Sequence, residues 1–316
     1  MAATENGYAR LDGKVAIVFG VSPNIGGTCA HFLARQGARL ALCDVRREAA
    51  EEAAEFFRGR GFEAIVLVGD SSDEATAAGL VAQAVKHYGK IDIMLNLVGN
   101  QYRDEVLDFN LHDWERQLKG YLTGGMLTTK HVARSMQEHG VEGSIIHIIS
   151  DAGHQGEPGN AGYSAAKGGL LNYARAAAME LARYRIRVNT VSPTFVDHLL
   201  WTYPLEWLNP RIHGPSNLSA DDFIQGIPLG RFCTATDIAN AVVFLASDAS
   251  AFLTGVDIPL DGGARTKYWP WSPGKWSGVN TDQYVAQMKV RKYGVPVDEL
   301  KKELKDDGST GGKRTN

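Results

Sequence analysis

Short apolar runs alternate along the chain with longer stretches of helical periodicity. From residue 14 onward the candidate strands are KVAIVFG, RLALCD, EAIVLV, IDIMLNLVG, GSIIHIIS, IRVNTV and DIPLD. The helical candidates between them span residues 25–36, 48–60, 74–88, 113–138, 163–184 and 236–247. Strands that are apolar throughout are typical of a parallel sheet with helices on both faces. The alternation therefore predicts a single doubly wound α/β domain of Rossmann type over residues 11–263.

One connection in this domain is unusually long. Residues 199–226 are rich in aromatic residues and prolines, and connections of that length are typical of lids or binding loops. We therefore expect a substrate lid here. Its rings would suit a bulky cyclic or aromatic substrate, or they could instead seal the lid to its own core. The rings belong to Trp201, Tyr203, Trp207 and Phe223.

A C-terminal extension, residues 264–316, follows the domain. It contains Trp269, Trp271 and Trp276, which are costly to leave exposed, so we expect residues 268–279 to pack on this subunit or on a neighbour. The last dozen residues are polar and glycine-rich, a composition typical of disorder.

Composition narrows the class of protein. The chain has 316 residues, 44% of them hydrophobic, and a formal net charge of −3. It contains no run of about 18 apolar residues, so we expect no membrane span, and its near-neutral charge argues against nucleic-acid binding. Three widely separated cysteines fit free thiols in a reducing compartment, and the N-terminus lacks a secretory signal pattern, which predicts a cytoplasmic protein. The sequence contains no CxxC motif and no closely spaced histidine pair, so it gives no indication of a metal site.

The first strand leads into the glycine-bearing turn VFGVSPNIGG, residues 18–27, and then into a helix. Such a turn brings backbone N–H groups and the positive end of a helix dipole to a place where a pyrophosphate can bind. Gly20 would allow the turn and Gly26 a close backbone approach, with Asn24 between them. Because glycine-bearing turns are common, this motif alone is equally compatible with an ordinary turn.

A carboxylate at the end of the second strand favours the cofactor interpretation. Asp44 could accept hydrogen bonds from both ribose hydroxyls of NAD and would repel the 2′-phosphate of NADP. We therefore expect NAD. Arg46 and Arg47 follow directly and could stabilise a 2′-phosphate, so NADP remains the less favoured alternative, although a solvated helical turn explains both arginines more simply.

The candidate catalytic residues are Ser150, Tyr163 and Lys167. The tyrosine and the lysine are four residues apart in YSAAK and so share one helix face, and Ser150 ends the fifth strand. An ordinary tyrosine has a pKa near 10, too high for a base at neutral pH. A Lys167 ammonium and an oxidised nicotinamide would both lower the pKa of Tyr163. Gln155 and Glu157 could add polar contacts to the same pocket, whereas YxxxK alone is a common spacing in surface helices.

Taken together, these motifs resemble the short-chain dehydrogenase/reductase family over roughly residues 11–263. The resemblance rests on the glycine turn, Asp70, NLVG, Ser150, YSAAK, NTVSPT and LDGG, in that order. It implies that Tyr163 is the acid/base, that Lys167 assists it and that Ser150 orients the substrate. The implied enzyme transfers a hydride between NAD and a secondary alcohol or ketone, as a homodimer or homotetramer. The expected cofactor contacts are Gly20, Asn24, Ile25, Gly26, Asp44, Asp70, Ser71, Asn96, Val98, Gly99, Tyr163, Lys167, Pro193 and Val196.

Several positions depart from the family pattern. Asn24 replaces the middle glycine of the turn, although asparagine can adopt the left-handed backbone of a glycine. Thr194 replaces a glycine, and His198 stands where a threonine is usual. Tyr121 occupies the position of a fourth catalytic residue, an asparagine that supports a water relay to the lysine; the tyrosine could join that relay or simply pack. The alternatives are an NADPH-dependent ketone reductase and a catalytically silent cofactor-binding protein.

Overall fold

The computed structural model describes residues 9–99, 101–197 and 220–266, and the backbone of residues 291–292 and 295–296. In this part of the chain seven parallel strands form one sheet of order β3-β2-β1-β4-β5-β6-β7. The strands are β1 Val15–Phe19, β2 Arg39–Asp44, β3 Ala64–Val68, β4 Ile93–Asn96, β5 Ser144–Ile148, β6 Arg187–Pro193 and β7 Asp257–Leu260. The helices are α1 Ile25–Arg35, α2 Arg47–Arg58, α3 Glu74–Tyr88, α4 Leu111–Gln117, α5 Gly124–Glu138, α6 Ala161–Leu181, α7 Ala220–Gln225 and α8 Ala235–Ala246. The predicted doubly wound α/β fold is confirmed.

Helices cover both faces of the sheet, which explains why the strands are apolar throughout. All five residues of β1 are buried, and successive side chains of a strand point to opposite faces. Ala16 and Val18 pack in the core that includes α1, α2 and α8. Val15, Ile17 and Phe19 pack in the core that includes α3, α5 and α6. Two hydrophobic cores therefore hold the sheet from its two sides.

The order of the strands reverses at the centre of the sheet. β1 pairs in parallel with β2 on one side and with β4 on the other. In open α/β sheets, ligands bind outside the carboxyl ends of the strands at such a reversal. The turn that begins at Gly20 and residues 97–99 follow these two strands, so both lie at the expected binding edge.

The helix predicted over residues 113–138 is interrupted. α4 ends at Gln117, α5 begins at Gly124, and Leu118–Thr123 between them forms a π-helical turn. Turns of this type are rare and occur frequently at functional sites. Apolar periodicity does not reveal them, because the hydrophobic pattern continues on both sides of the inserted residue. This turn carries Tyr121.

Several predicted features lie outside the described residues. They include most of the predicted lid and most of the C-terminal extension, where the structure describes only a short antiparallel pair, β8 Arg291–Lys292 and β9 Val295–Pro296. Phe223, at the end of the predicted lid, lies in α7 with its ring centroid 4.6 Å from that of Phe195. The predicted residues outside the description are His198, Trp201, Tyr203, Trp207, Trp269, Trp271 and Trp276.

The cysteines agree with the prediction of free thiols. Cys29, Cys43 and Cys233 are all free and buried, and burial raises the pKa of the Cys233 thiol to about 12.

Among the described helices, none combines the length and the apolar character that a bilayer crossing needs.

Gly26 is the position at which the fold tolerates a side chain least. A Cβ there would overlap the carbonyl oxygen of Gly20, whereas a Cβ at Gly79, inside α3, would meet no atom within 4 Å. We predict that Gly26→Ala lowers the free energy of unfolding by about 2 kcal/mol or more, because helix and turn must separate. Gly79→Ala should raise it by about 0.5–1 kcal/mol through lower backbone entropy. Urea unfolding measures both, and equal effects would contradict the close approach at Gly26.

Candidate active site

The turn after β1 has a backbone geometry that suits an anion. Gly20 has a φ of +90°, and its N–H donates to the carbonyl of Cys43 at 2.8 Å. α1 then begins at Ile25 with no side-chain cap and no acidic residue in its first turn. The N–H groups of that turn and the positive end of the helix dipole therefore favour an anionic group. Because Gly26 keeps a Cβ out of the turn, the cradle fits the pyrophosphate of a dinucleotide.

Asn24 does not imitate a glycine. Its φ of −81° and ψ of −125° lie outside the left-handed region. Its carbonyl accepts a hydrogen bond from the N–H of Thr28 at 3.0 Å, which closes the first turn of α1. The loop therefore accommodates the missing glycine without left-handed backbone at this position.

Asp44 ends β2 beside this turn. Its carboxylate accepts hydrogen bonds from the N–H of Val21 at 3.2 Å and from the N–H of Arg46 at 3.0 Å. The Asp44 side chain is 8% exposed, whereas that of Arg46 is 63% exposed. Arg47 pairs with Glu51 at 3.1 Å, one helical turn away. The carboxylate is thus held at this edge, and both arginine side chains are largely solvated, as the simpler interpretation of them expects.

Asp70 closes a turn after β3. One carboxylate oxygen accepts hydrogen bonds from the N–H of Ser72 at 2.9 Å and from its hydroxyl at 2.7 Å. Asp70 is exposed and Ser71 is buried. This geometry matches the interpretation of Asp70 as a turn residue, and its contact with a cofactor remains a prediction.

A buried chain of hydrogen bonds supports the end of β4. Asn96 Nδ2 lies 3.1 Å from His147 Nδ1, and His147 Nε2 lies 3.0 Å from the hydroxyl of Thr129. That hydroxyl donates to the carbonyl of Gly125 at 2.7 Å. Burial lowers the pKa of His147 to about 3, so the ring is neutral. Since an amide nitrogen only donates, His147 accepts at Nδ1 and donates from Nε2.

This chain fixes the orientation of Asn96, whose amide oxygen is directed at the loop that follows and lies 3.5 Å from the N–H of Val98. His147 and Thr129 were not predicted from the sequence. The signal that could have revealed His147 is a single imidazole inside the otherwise apolar strand SIIHI.

The structure brings the three predicted catalytic residues together. Tyr163 and Lys167 lie one turn apart on α6, and Ser150, which follows β5, hydrogen-bonds the Tyr163 side chain. Lys167 is 3% exposed, and its Nζ donates to the carbonyl of Ile148 at 2.7 Å. The same Nζ lies 5.6 Å from the centroid of the Tyr163 ring.

Burial shifts the pKa values of both side chains. Desolvation raises the pKa of Tyr163 to about 12, although the Ser150 hydrogen bond acts in the opposite direction. Burial also lowers the pKa of Lys167 to about 7. In the protein without a cofactor, desolvation is the largest influence on the pKa of Tyr163, and its lowering by a charged Lys167 and an oxidised nicotinamide stays a prediction. Both groups lose water, and desolvation favours the neutral form of each.

Tyr121 completes this cluster from the π-helical turn. Its side chain is buried, and its ring meets that of Tyr163 edge to face, with centroids 5.1 Å apart. The Nζ of Lys167 lies 4.5 Å from the Tyr121 centroid, within the range of a cation–π contact. A Cβ at Gly99, where φ is +144°, would overlap the Tyr121 ring. Tyr121 therefore packs between Gly99 and the side chains of Tyr163 and Lys167.

The end of β6 lies beside the turn that carries Ser150. Pro193 and Val196 are buried, and Val196 forms an isolated bridge with Cys233. The side chain of Thr194 hydrogen-bonds Asp151, the residue after Ser150.

Arg265 anchors the same turn from the other side. Its Nε lies 3.1 Å from a carboxylate oxygen of Asp151 and 3.1 Å from one of Asp261, and its Nη2 lies 3.6 Å from Asp257. Desolvation raises the pKa of Asp151 to about 6. Three carboxylates, one from the turn after β5 and two from the two ends of β7, thus share one guanidinium next to Ser150. Sequence spacing carried no signal of this cluster.

A family model described as enoyl-(acyl carrier protein) reductase matches residues 20–265. Among curated proteins, cis-4-hydroxycyclohexanecarboxylate dehydrogenase of Sinomonas cyclohexanicum is 32% identical over 252 residues, which cover 79% of this chain and 96% of that protein.

Solved structures of the same fold are equally extensive matches. NAD+-bound xylitol dehydrogenase is 34% identical, with a TM-score of 0.76 over 80% of this chain and 99% of its own. A gluconate 5-dehydrogenase from Burkholderia cenocepacia, in complex with NADP and tartrate, is 30% identical, with a TM-score of 0.74 over 82% of this chain and 98% of its own. A nicotinamide cofactor is therefore supported. The chain belongs to the short-chain dehydrogenase/reductase family of oxidoreductases.

Proposed function

We propose that this protein is an NAD-dependent dehydrogenase that interconverts a secondary alcohol and a ketone. The observation that carries the proposal is the meeting of Ser150, Tyr163 and Lys167 at the carboxyl edge of the sheet. The anion-binding turn after β1 lies at the same edge. Relatives that are named as dehydrogenases of hydroxylated substrates support the same reaction class.

Side chains of the protein accept and donate the proton of the reaction. In the oxidative direction the substrate hydroxyl gives its proton to the phenolate of Tyr163, which becomes the phenol, while the hydroxyl of Ser150 holds the substrate oxygen against the phenolate oxygen. Lys167 lies behind both groups and favours the phenolate when it is charged. A nicotinamide cofactor, when bound, supplies the hydride chemistry at the substrate carbon. In the reductive direction Tyr163 returns the proton to the carbonyl oxygen.

Asp44 supports NAD as the cofactor. Its buried carboxylate lines the edge where a ribose would lie, and its charge opposes a 2′-phosphate. The alternative, NADPH, requires Arg46 to outweigh that charge. The Arg46 side chain is 63% exposed, and its Nε lies 3.6 Å from Oδ1 of Asp44, so this arginine is paired with the carboxylate that favours NAD.

Tyr121 is proposed to position Lys167 through its ring. The aromatic face stabilises the ammonium form of a lysine that burial otherwise makes neutral. This role replaces the water relay that an asparagine would support. It needs the ring of Tyr121 and not its hydroxyl, which distinguishes it from a relay through the phenol.

The proposed substrate carries its alcohol on a bulky cyclic or aromatic framework. The sequence support is the group of aromatic residues at positions 201, 203 and 207, and the curated relative from Sinomonas cyclohexanicum is named for a hydroxycyclohexane acid.

We also propose a cytoplasmic homo-oligomer, a dimer or a tetramer. Its support is the set of free, buried cysteines and the exposed apolar side chains of Met179 and Phe252.

The Tyr163→Phe variant tests the proposed function. It should lose nearly all turnover, by about 100-fold or more, because the acid/base is removed. Fluorescence titration should still show binding of NADH, tighter than that of NADPH, because Asp44 and the turn are intact. Full turnover by the variant would contradict the role of Tyr163, and wild-type protein that binds NADH but oxidises no alcohol would favour the catalytically silent alternative.

Burial of Lys167 predicts a pH-dependent stability. Its pKa is about 7 in the folded chain, whereas an exposed lysine titrates near 10.4. Between these values the unfolded chain binds more protons, so this group makes the free energy of unfolding rise with pH, by up to about 1.4 kcal/mol per unit. Urea unfolding gives the free energy of unfolding of wild type and of Lys167→Met at each pH from 7 to 9.5. The difference between the two proteins should rise with pH. Parallel profiles would contradict it.

Substitutions at Tyr121 separate its ring from its hydroxyl. Tyr121→Leu removes the cation–π contact, so Lys167 becomes neutral more readily and supports the phenolate less. The acidic limb of the kcat/KM profile for alcohol oxidation should move up by about 0.5–1 pH unit. Tyr121→Phe should leave the limb in place. An equal shift in both variants would indicate that the hydroxyl is the active part.

A further inference from the structure

An ion pair beside Tyr163 has no part in the proposed proton transfer. Arg103 lies in the loop after β4, Glu157 follows the turn that carries Ser150, and Nη2 of Arg103 is 2.9 Å from Oε1 of Glu157. The two side chains are 26% and 25% exposed. Both charges act on the Tyr163 phenol, because Glu157 raises its pKa and Arg103 lowers it. The pair therefore lies within electrostatic reach of the atom that exchanges a proton with the substrate.

The two loops are held to each other, so the pair has a defined geometry. The N–H of Asp104 donates to the carbonyl of Gly159 at 3.1 Å, and Asp104 forms a parallel bridge with Asn160. The buried Asn160 side chain donates to the second carboxylate oxygen of Glu157 at 2.9 Å. One oxygen of Glu157 thus faces Asn160 and the other faces Arg103.

The guanidinium of Arg103 is only partly satisfied. Its Nη1 is buried, and among the described residues it has no hydrogen-bond acceptor. A buried donor without an acceptor loses its hydration without compensation, and the cost is larger when the donor is charged. Beside a catalytic tyrosine, such a donor indicates a place where a ligand oxygen completes the hydrogen bonds.

The charges of the pair select the chemistry of that ligand. A hydroxyl group can accept from Arg103 and donate to Glu157 at the same time. A carboxylate in this position would meet the negative charge of Glu157, and a hydrocarbon would desolvate both charges without any new hydrogen bond. We propose that Arg103 and Glu157 are specificity-determining residues that bind a second hydroxyl of the substrate, next to the carbinol that is oxidised. This inference rests on the proposed dehydrogenase function.

A pair of matched substrates tests the proposal. Wild-type protein is assayed with NAD on cyclohexanol and on cyclohexane-1,2-diol, which differ by one hydroxyl. A hydrogen bond to a charged group contributes about 1.5–3 kcal/mol, so kcat/KM should favour the diol by about 10-fold to 100-fold. Arg103→Met and Glu157→Gln should each reduce this ratio to about 3-fold or less. The control Arg185→Met breaks an exposed pair, 2.8 Å from Arg185 to Glu142, and should keep the wild-type ratio.

Binding without turnover separates this proposal from the proposed reaction. In the Tyr163→Phe variant loaded with NADH, the diol should raise the midpoint of thermal unfolding more than cyclohexanol does. In the double variant that also carries Arg103→Met, the two alcohols should raise the midpoint equally. The same difference before and after Arg103→Met would overturn the role of the pair, as would equal kcat/KM values for both substrates in wild type. Diol binding that depends on Arg103, in a protein that oxidises neither alcohol, would keep the binding site and reject the dehydrogenase.

Discussion

The burial of the Lys167 amino group is the constraint on which the site depends. A lysine at 3% exposure loses its hydration, and the chain offers it the carbonyl of Ile148 and the ring of Tyr121 in return. The carbonyl comes from the end of a central strand, and the ring comes from a π-helical turn. The position of this amino group therefore couples the sheet, α6 and the interrupted helix, so that a shift in any one of them alters the surroundings of Tyr163.

The proposed cofactor side and the proposed proton-transfer side share the end of β4. Asn96 is locked by the neutral His147 ring behind it, and the loop it supports reaches Gly99, which lies against Tyr121. A hydrogen-bond chain that contains no charged member can fix an amide without adding to the field around Lys167. This explains how a histidine can be fully buried close to a catalytic lysine.

Sequence patterns predicted the parts of the molecule that depend on local order. Apolar strands showed the covered parallel sheet, and the spacing of Ser150, Tyr163 and Lys167 placed three side chains that the fold brings together. The π-helical turn was missed because apolar periodicity passes through it, and the desolvation of Tyr163 was missed because it depends on tertiary packing. Arg103 left no pattern, since its partner lies more than 50 residues away in the chain.

The contact of Tyr121 with Gly99 ties two distant positions together. Any side chain at position 99 would occupy the space of the ring, so a tyrosine at 121 requires a glycine at 99. A shorter polar residue at 121 would open a hollow bordered by Lys167 and Tyr163, polar enough to hold water. A single substitution at position 121 would thus change the surroundings of Lys167 from an aromatic ring to water, while the backbone stayed the same. A family of enzymes could pass from one to the other while it kept its catalytic side chains.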